Sequence, residues 1–329
     1  VTEQAERNWM ALHLFYHHFE KQDDLLLDCL MPAVRKLQAE GHCKQWFFLR
    51  YWDGGPHIRI RFLEPADQVE PYIREQAEAY MRAHPPEQEM SREAYYAQHK
   101  FDGEEVDRGA LPWYGNGSIV KLPYEPEVKR YGGAAALPVS EDLFTHSSDI
   151  VEQALCATRG EYQKRMSIAM DLMLLTALCL GVRLEDVGMF FWRYMYSWQT
   201  FVDQPDEQRA KIRATFERQR ESLVPRFQTL AAFVDSEQEF LFYRQWVNHL
   251  KAAFARYEAL ACQGELACPY DDEPVDSERR RRYAIASIAV SQIHMTNNRL
   301  GVLMSYEHYL SCMLHLAASE AVLPGEEVR

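Results

Sequence analysis

Positive charge is scarce in this chain. Across 329 residues, Lys and Arg number 36 against 49 Asp and Glu, for a formal net charge of −13. Nucleic-acid backbones call for a basic surface, so no direct nucleic-acid partner is expected. Phosphate-cradling loops are absent: neither GxGxxG nor GxxxxGK followed by Ser or Thr occurs, which removes support for dinucleotide oxidoreductases and nucleotide hydrolases. GxSxG and HExxH are missing too, against serine hydrolases and zincins. No apolar run reaches membrane-spanning length, since the longest, Ile168 to Val182, is interrupted by Asp171. The N-terminal VTEQAERNWMALHLF has no basic region followed by an apolar core, so a cytoplasmic protein without a membrane partner is expected. The seven cysteines are odd in number and none has zinc-like spacing, which predicts reduced thiols, no metal and no cofactor.

What remains is ordinary globular material, 47% apolar and 12% aromatic, without internal repeats. Within it, FFLRYWDGGPHIRIRF, Phe47 to Phe62, alternates apolar and polar positions on either side of Asp-Gly-Gly-Pro, which predicts two strands and a tight connection. In the second strand His57, Arg59 and Arg61 share one face, and Ile58, Ile60 and Phe62 the other. Such a row of cations is either a solvated sheet face or a rigid floor for an anion, because guanidinium forks match carboxylates.

The first third mixes strands and helices. Met10 to Tyr16 reads as a strand, Asp23 to Ala39 and Ala66 to Ala83 as amphipathic helices, and Ser118 to Pro123 as a further strand in a less regular stretch. From Ser140 onward helices are predicted over Ser140–Ala157, Glu161–Leu180, Leu184–Val202, Asp206–Arg220, Ser236–Gln263 and Ser277–Ala318, the last bending at Asn297 to Gly301. Ser140, and either Asp276 or Ser277, are the expected N-caps. The fold class is therefore α+β, with a small N-terminal antiparallel sheet and helices over 1–135 and a mainly helical region over 136–329, the two packed as one unit. A cleft between them is the expected place for a ligand.

Four more stretches carry candidate chemistry. In YEPEVKRYGGAAALP, Arg130 and Tyr131 precede a Gly pair that either makes an ordinary turn or lets the backbone approach a ligand. In SQIHMTNNRLG, His294 and Asn298 share a helix face with Asn297 beside them, as a packed histidine or as a proton-transfer group. The run Arg279 to Arg282 follows DDEPVDSE and reads as a salt-bridged helix start, with docking of an acidic peptide as the other reading. His13 and His17 would pair on a metal only on a helix, and their segment reads as a strand.

Taken in order, WFFLRYWDGGPHIRIRF, YEPEVKRYGG followed by SEDLFTHSSDIV, and SQIHMTNNRLGVLMSYEHYL resemble the C-terminal elimination domain of class I lanthipeptide dehydratases. That domain also occurs as a separate protein in thiopeptide and related ribosomal-peptide pathways. The resemblance implies a lyase that removes glutamate from glutamylated Ser or Thr of a precursor peptide, leaving dehydroalanine or dehydrobutyrine. It assigns catalytic roles to Arg59, Arg61, Arg130 and His294. Arg50, His57, Tyr131, Asn298 and Arg299 are expected to bind substrate, the last two alternatively packing their helix. The chain has no room for a glutamylation domain, so a separate glutamyl-tRNA-dependent glutamylation protein is implied as partner, beside the leader and modified core of the precursor. A branch of the same family instead joins two dehydroalanines by a formal [4+2] aza-cycloaddition, forming the pyridine of thiopeptides and releasing the leader. That branch is expected to lack the Arg and His set. The extent of helical apolar surface is compatible with a homodimer.

Overall fold

Period-two alternation in the first third gives four strands in the computed structural model, which describes residues 7–86, 90–98, 106–107 and 109–321. The strands are β1 (Trp9–Phe15), β2 (Gln45–Tyr51), β3 (His57–Leu63) and β4 (Ile119–Leu122), ordered β2-β3-β1-β4 and antiparallel throughout. Helix α1 (Gln22–Leu25) continues through a π turn at Leu26–Leu30 into α2 (Met31–Ala39); α3 (Val69–Ala83) and the short α4 (Arg92–Gln98) follow β3. Then come α5 (Leu137–Ala157), α6 (Tyr162–Cys179), α7 (Val187–Ser197), α8 (Pro205–Val234), α9 (Tyr243–Cys262), α10 (Glu278–Leu300) and α11 (Met304–Ala321). The fold is α+β, as the sequence pattern predicts. Its contacts divide it into two compact units, Val1–Pro126 with Ser147–Ala157, and Glu127–His146 with Thr158–Arg329.

In the sheet unit, one face carries Leu12, Leu14, Trp46, Phe48, Ile58, Ile60 and Phe62, all fully buried. Burying such a side chain contributes about 1.5–3 kcal/mol, so this layer fixes the register of all three long strands. Helices α1 and α2 cover it: the Arg35 guanidinium lies over the Trp46 ring, and Asp23 accepts from Arg50 at 2.5 Å. The edge strand β2 is protected at Phe48, whose N–H donates to Ser148 Oγ at 3.3 Å.

The helical unit is built around α6, which is buried nearly all round. Its one acid, Asp171, accepts from Tyr243 Oη at 2.6 Å and from Arg226 of α8 at 2.7 Å. Burial pushes the Asp171 carboxyl up, and these donors oppose that. At the other end of the unit, Gly301 closes α10 in the left-handed region at φ 74°, and α11 begins three residues later. Of the two candidate caps of α10 it is Ser277 that acts, accepting from the Arg280 N–H at 3.3 Å.

Three expectations are corrected. Ser140 does not cap α5, which starts at Leu137; Ser140 is buried inside it, 2.8 Å from the Tyr257 hydroxyl. Helix α8 does not stop near Arg220 but runs to Val234 through Pro225, because Phe227, Leu230, Phe233 and Val234 continue its buried stripe. Ser236 to Phe242 precedes α9 rather than forming its first turns.

Asp171→Ala should therefore destabilise the protein by about 2 kcal/mol in urea unfolding. That is less than the ~3–5 kcal/mol of a wholly buried pair, since Arg226 is 43% exposed. Unchanged unfolding would show that Asp171 holds nothing.

Candidate functional site

The predicted cations divide between the two units. In the sheet unit the pleat puts His57, Arg59 and Arg61 of β3 on one face, opposite Phe15, His13 and Ala11 of β1. This face is not solvated: His57 and His13 are buried and Arg61 is 8% exposed. His57 lies against a carbonyl, Nδ1 to Gly55 O at 2.8 Å, so Nδ1 carries the proton. Its Nε2 then accepts from Arg59 Nε at 3.0 Å, while the Arg59 guanidinium lies 3.5 Å from the Tyr51 ring centroid. Arg61 is held 4.5 Å from Tyr124 and 5.2 Å from Phe47. Burial first, and the arginines with it, pushes His57 down to about 3 and His13 down to about 2. Two neutral imidazoles thus sit among two guanidinium groups without adding charge. Arg50 points to the opposite sheet face, where Asp23 takes its charge.

In the helical unit Arg130 sits on a short 3-10 turn, Lys129–Tyr131, closed by Gly132 at φ 88°. A Cβ on Gly132 would lie 2.8 Å from Ile288 Cδ1 and 2.9 Å from Leu266 Cδ1, so glycine is required for the approach to α10. That approach lets Arg130 Nε donate to Ser291 Oγ at 3.1 Å, while Nη1 pairs with Glu127 at 3.1 Å. Among the described residues Nη2 donates to no side chain or carbonyl, which leaves one edge of the fork for a ligand. Ser291 and His294 stand one turn apart on α10, so Arg130 and His294 approach the same helix face.

His294 Nδ1 is 2.8 Å from Glu307 Oε1. A carboxylate can only accept, so Nδ1–H donates and Nε2 is the nitrogen with an available lone pair. The second Glu307 oxygen accepts from the Tyr194 hydroxyl, which burial and Glu307 hold protonated by raising its pKa well above the usual value. Glu307 is fully buried, and Trp198 covers the imidazole at 4.6 Å between ring centroids. Tyr131 packs on Phe144, Asn298 is half-buried, and Arg299 is fully buried beside Phe144, donating to the Met295 carbonyl at 3.0 Å.

The structure thus groups His57, Arg59 and Arg61 in one unit, and Arg130 with His294 in the other. Sequence reasoning missed Glu127, Ser291, Tyr194 and Glu307. Glu127 stands three residues before Arg130, a readable pairing distance; Glu307 lies within the quoted SYEHYL, but only the turn at Gly301 reveals its partner. Among the described residues no group of acids, histidines and cysteines could hold a metal ion, and no helix is long and apolar enough to cross a membrane.

An α+β chain with these cations and an oriented imidazole defines a class. Residues 9–318 match the family described as Lantibiotic biosynthesis dehydratase C-term, and the chain belongs to that family. Its fold is similar to that of the pyridine synthase TbtD from thiomuracin biosynthesis, at 23% identity and TM-score 0.77 over 96% of this chain and 98% of the other. TsrL is similar at 21% identity and TM-score 0.64, covering 96% and 95% of the two chains. The tRNA-dependent lantibiotic dehydratase MibB from Microbispora sp. 107891 is similar at 18% identity and TM-score 0.52, covering 97% of this chain but 29% of MibB. No curated protein matches the chain.

The depressed histidines make a stability prediction with a definite sign. Below about pH 6.5 the unfolded chain binds protons at His13 and His57 that the folded chain refuses, so stability falls with pH by up to about 1.4 kcal/mol per unit for each. Urea midpoints should fall from pH 7 to pH 5, and His13→Asn should flatten the slope. An unchanged slope in that variant would contradict the assignment.

Proposed function

We propose that the chain is a lyase of ribosomal peptide biosynthesis that eliminates glutamate from glutamylated Ser or Thr of a precursor peptide. The observation that carries this reading is His294, whose Nδ1 is committed to buried Glu307 so that Nε2 keeps its lone pair as a base. In the reaction Nε2 takes the Cα proton, the electron pair forms the Cα=Cβ bond, and the Cβ–O bond breaks to release glutamate as its carboxylate. Charge builds on the neighbouring carbonyl oxygen and on the leaving carboxylate, and guanidinium groups held before the substrate arrives stabilise both. Arg130 has the open edge for this, and Arg59 and Arg61 are held rigidly by His57, Tyr51 and Tyr124. His57 acts through Arg59, and Tyr131 and Arg299 through packing. The substrate comes from a separate glutamylating protein.

A second reading is supported by the likeness to a pyridine synthase over nearly the whole of both chains. The retained Arg and His set favours elimination.

Intact-peptide mass spectrometry separates the two. A peptide bearing O-glutamyl serine should lose glutamate and gain dehydroalanine with wild-type protein, and His294→Ala should slow this by about 100-fold or more. Arg130→Ala should slow it by a similar factor. Loss of a leader fragment from a dehydroalanine-rich peptide, with the glutamyl ester untouched, would overturn the lyase in favour of the cyclase.

A further inference from the structure

The helical unit contains a groove of about 690 Å³ between α7 and the first half of α10, unrelated to any group used above except at one end. Its walls combine Met189, Phe190 and Tyr283 with four arginines, Arg183, Arg193, Arg279 and Arg282, against two acids, Asp186 and Glu278. Arg183 is matched by Asp186 at 2.8 Å and Arg282 by Glu278 at 2.8 Å. Arg193 and Arg279 are exposed and make no ion pair among the described residues. Two unmatched cations in one groove are notable in a chain of net charge −13. The apolar lining is exposed as well, with Met189 at 56%, Tyr270 at 59% and Tyr283 at 40%. Large apolar side chains left in water beside unmatched charge mark a surface built for an occupant.

The size of the pattern identifies that occupant. Arg279, Arg282, Tyr283, Ala286, Ser287 and Val290 recur at three- and four-residue spacing along one stripe of α10, a span of about 16 Å at 1.5 Å per residue. A small organic acid covers a fraction of that length, whereas an extended peptide covers it in about five residues. One end of the groove is formed by Tyr194, which bonds Glu307. The groove therefore runs up to the residues that flank His294.

We propose that this groove binds a segment of the peptide substrate that alternates carboxylates with aromatic or aliphatic side chains. The carboxylates meet Arg193 and Arg279, and the apolar side chains cover Met189 and Tyr283. This rests on the reading that the substrate is a peptide. It also gives a use to the arginine run: Arg280 and Arg281 turn away to Asp271 and Glu258, while Arg279 and Arg282 line the groove.

The test is fluorescence anisotropy of the full chain with a short fluorescein-labelled peptide alternating glutamate with phenylalanine. Saturable binding is expected, weakened about tenfold or more in the Arg193→Glu/Arg279→Glu double variant and lost when lysine replaces glutamate in the probe. No saturable binding, wild-type affinity in a folded double variant, or easier displacement by a single-stranded oligonucleotide than by unlabelled peptide would overturn the proposal. Because binding is read without turnover, intact binding with no glutamate loss would condemn the lyase alone. Glutamate loss at wild-type rate and KM in the double variant would condemn the groove alone.

Discussion

A single buried carboxylate organises the helical unit's chemistry. Glu307 is fully buried, so its charge depends on the two donors that meet it, Tyr194 Oη and His294 Nδ1. Removing either would leave a buried acceptor partly unsatisfied, which is costly in a low-dielectric interior. The same requirement that keeps Glu307 paired fixes the imidazole in one orientation. The two residues are thirteen apart in sequence and would be about 20 Å apart on a continuous helix. The left-handed turn at Gly301 makes them neighbours.

The sheet unit solves a related problem by different means. Guanidinium groups on a buried sheet face are expensive unless their charge is delocalised or partnered. Here aromatic rings take up one side of Arg59 and Arg61, and a neutral His57 accepts from Arg59. The histidines among them stay neutral because burial makes a further charge more costly still. Rigid cations result, held at the expense of acid stability. In both units the polar groups are oriented before any ligand arrives, which is the condition for electrostatic stabilisation of a developing charge.

Much of this was legible in the residues. Asp-Gly-Gly-Pro between alternating runs gave the hairpin, and the asparagine-rich approach to Gly301 gave the helix break. The period of two placed His57, Arg59 and Arg61 together, but could not tell a solvated face from a buried one. Tertiary pairing hid the rest. Ser140 looks like a cap because its hydroxyl is suited to one, yet that hydroxyl is taken by Tyr257. The helix predicted to end at Arg220 continues through Pro225, because the apolar stripe beyond it outweighs the lost hydrogen bond. Glu307 sits among buried neighbours on α11, and nothing local distinguishes it from an exposed acid. The arginine run divides between ion pairs and a groove only once α7 is placed opposite it.

The account turns on Glu307 setting the tautomer of His294, and long-range ¹H–¹⁵N correlation of that imidazole tests it most directly. In the neutral ring of the wild-type protein, the nitrogens should report the proton on Nδ1 and a lone pair on Nε2. In Glu307→Gln the two tautomers should mix. A His294 ring carrying its proton on Nε2, or one whose nitrogen signals ignore the loss of the carboxylate, would contradict the account.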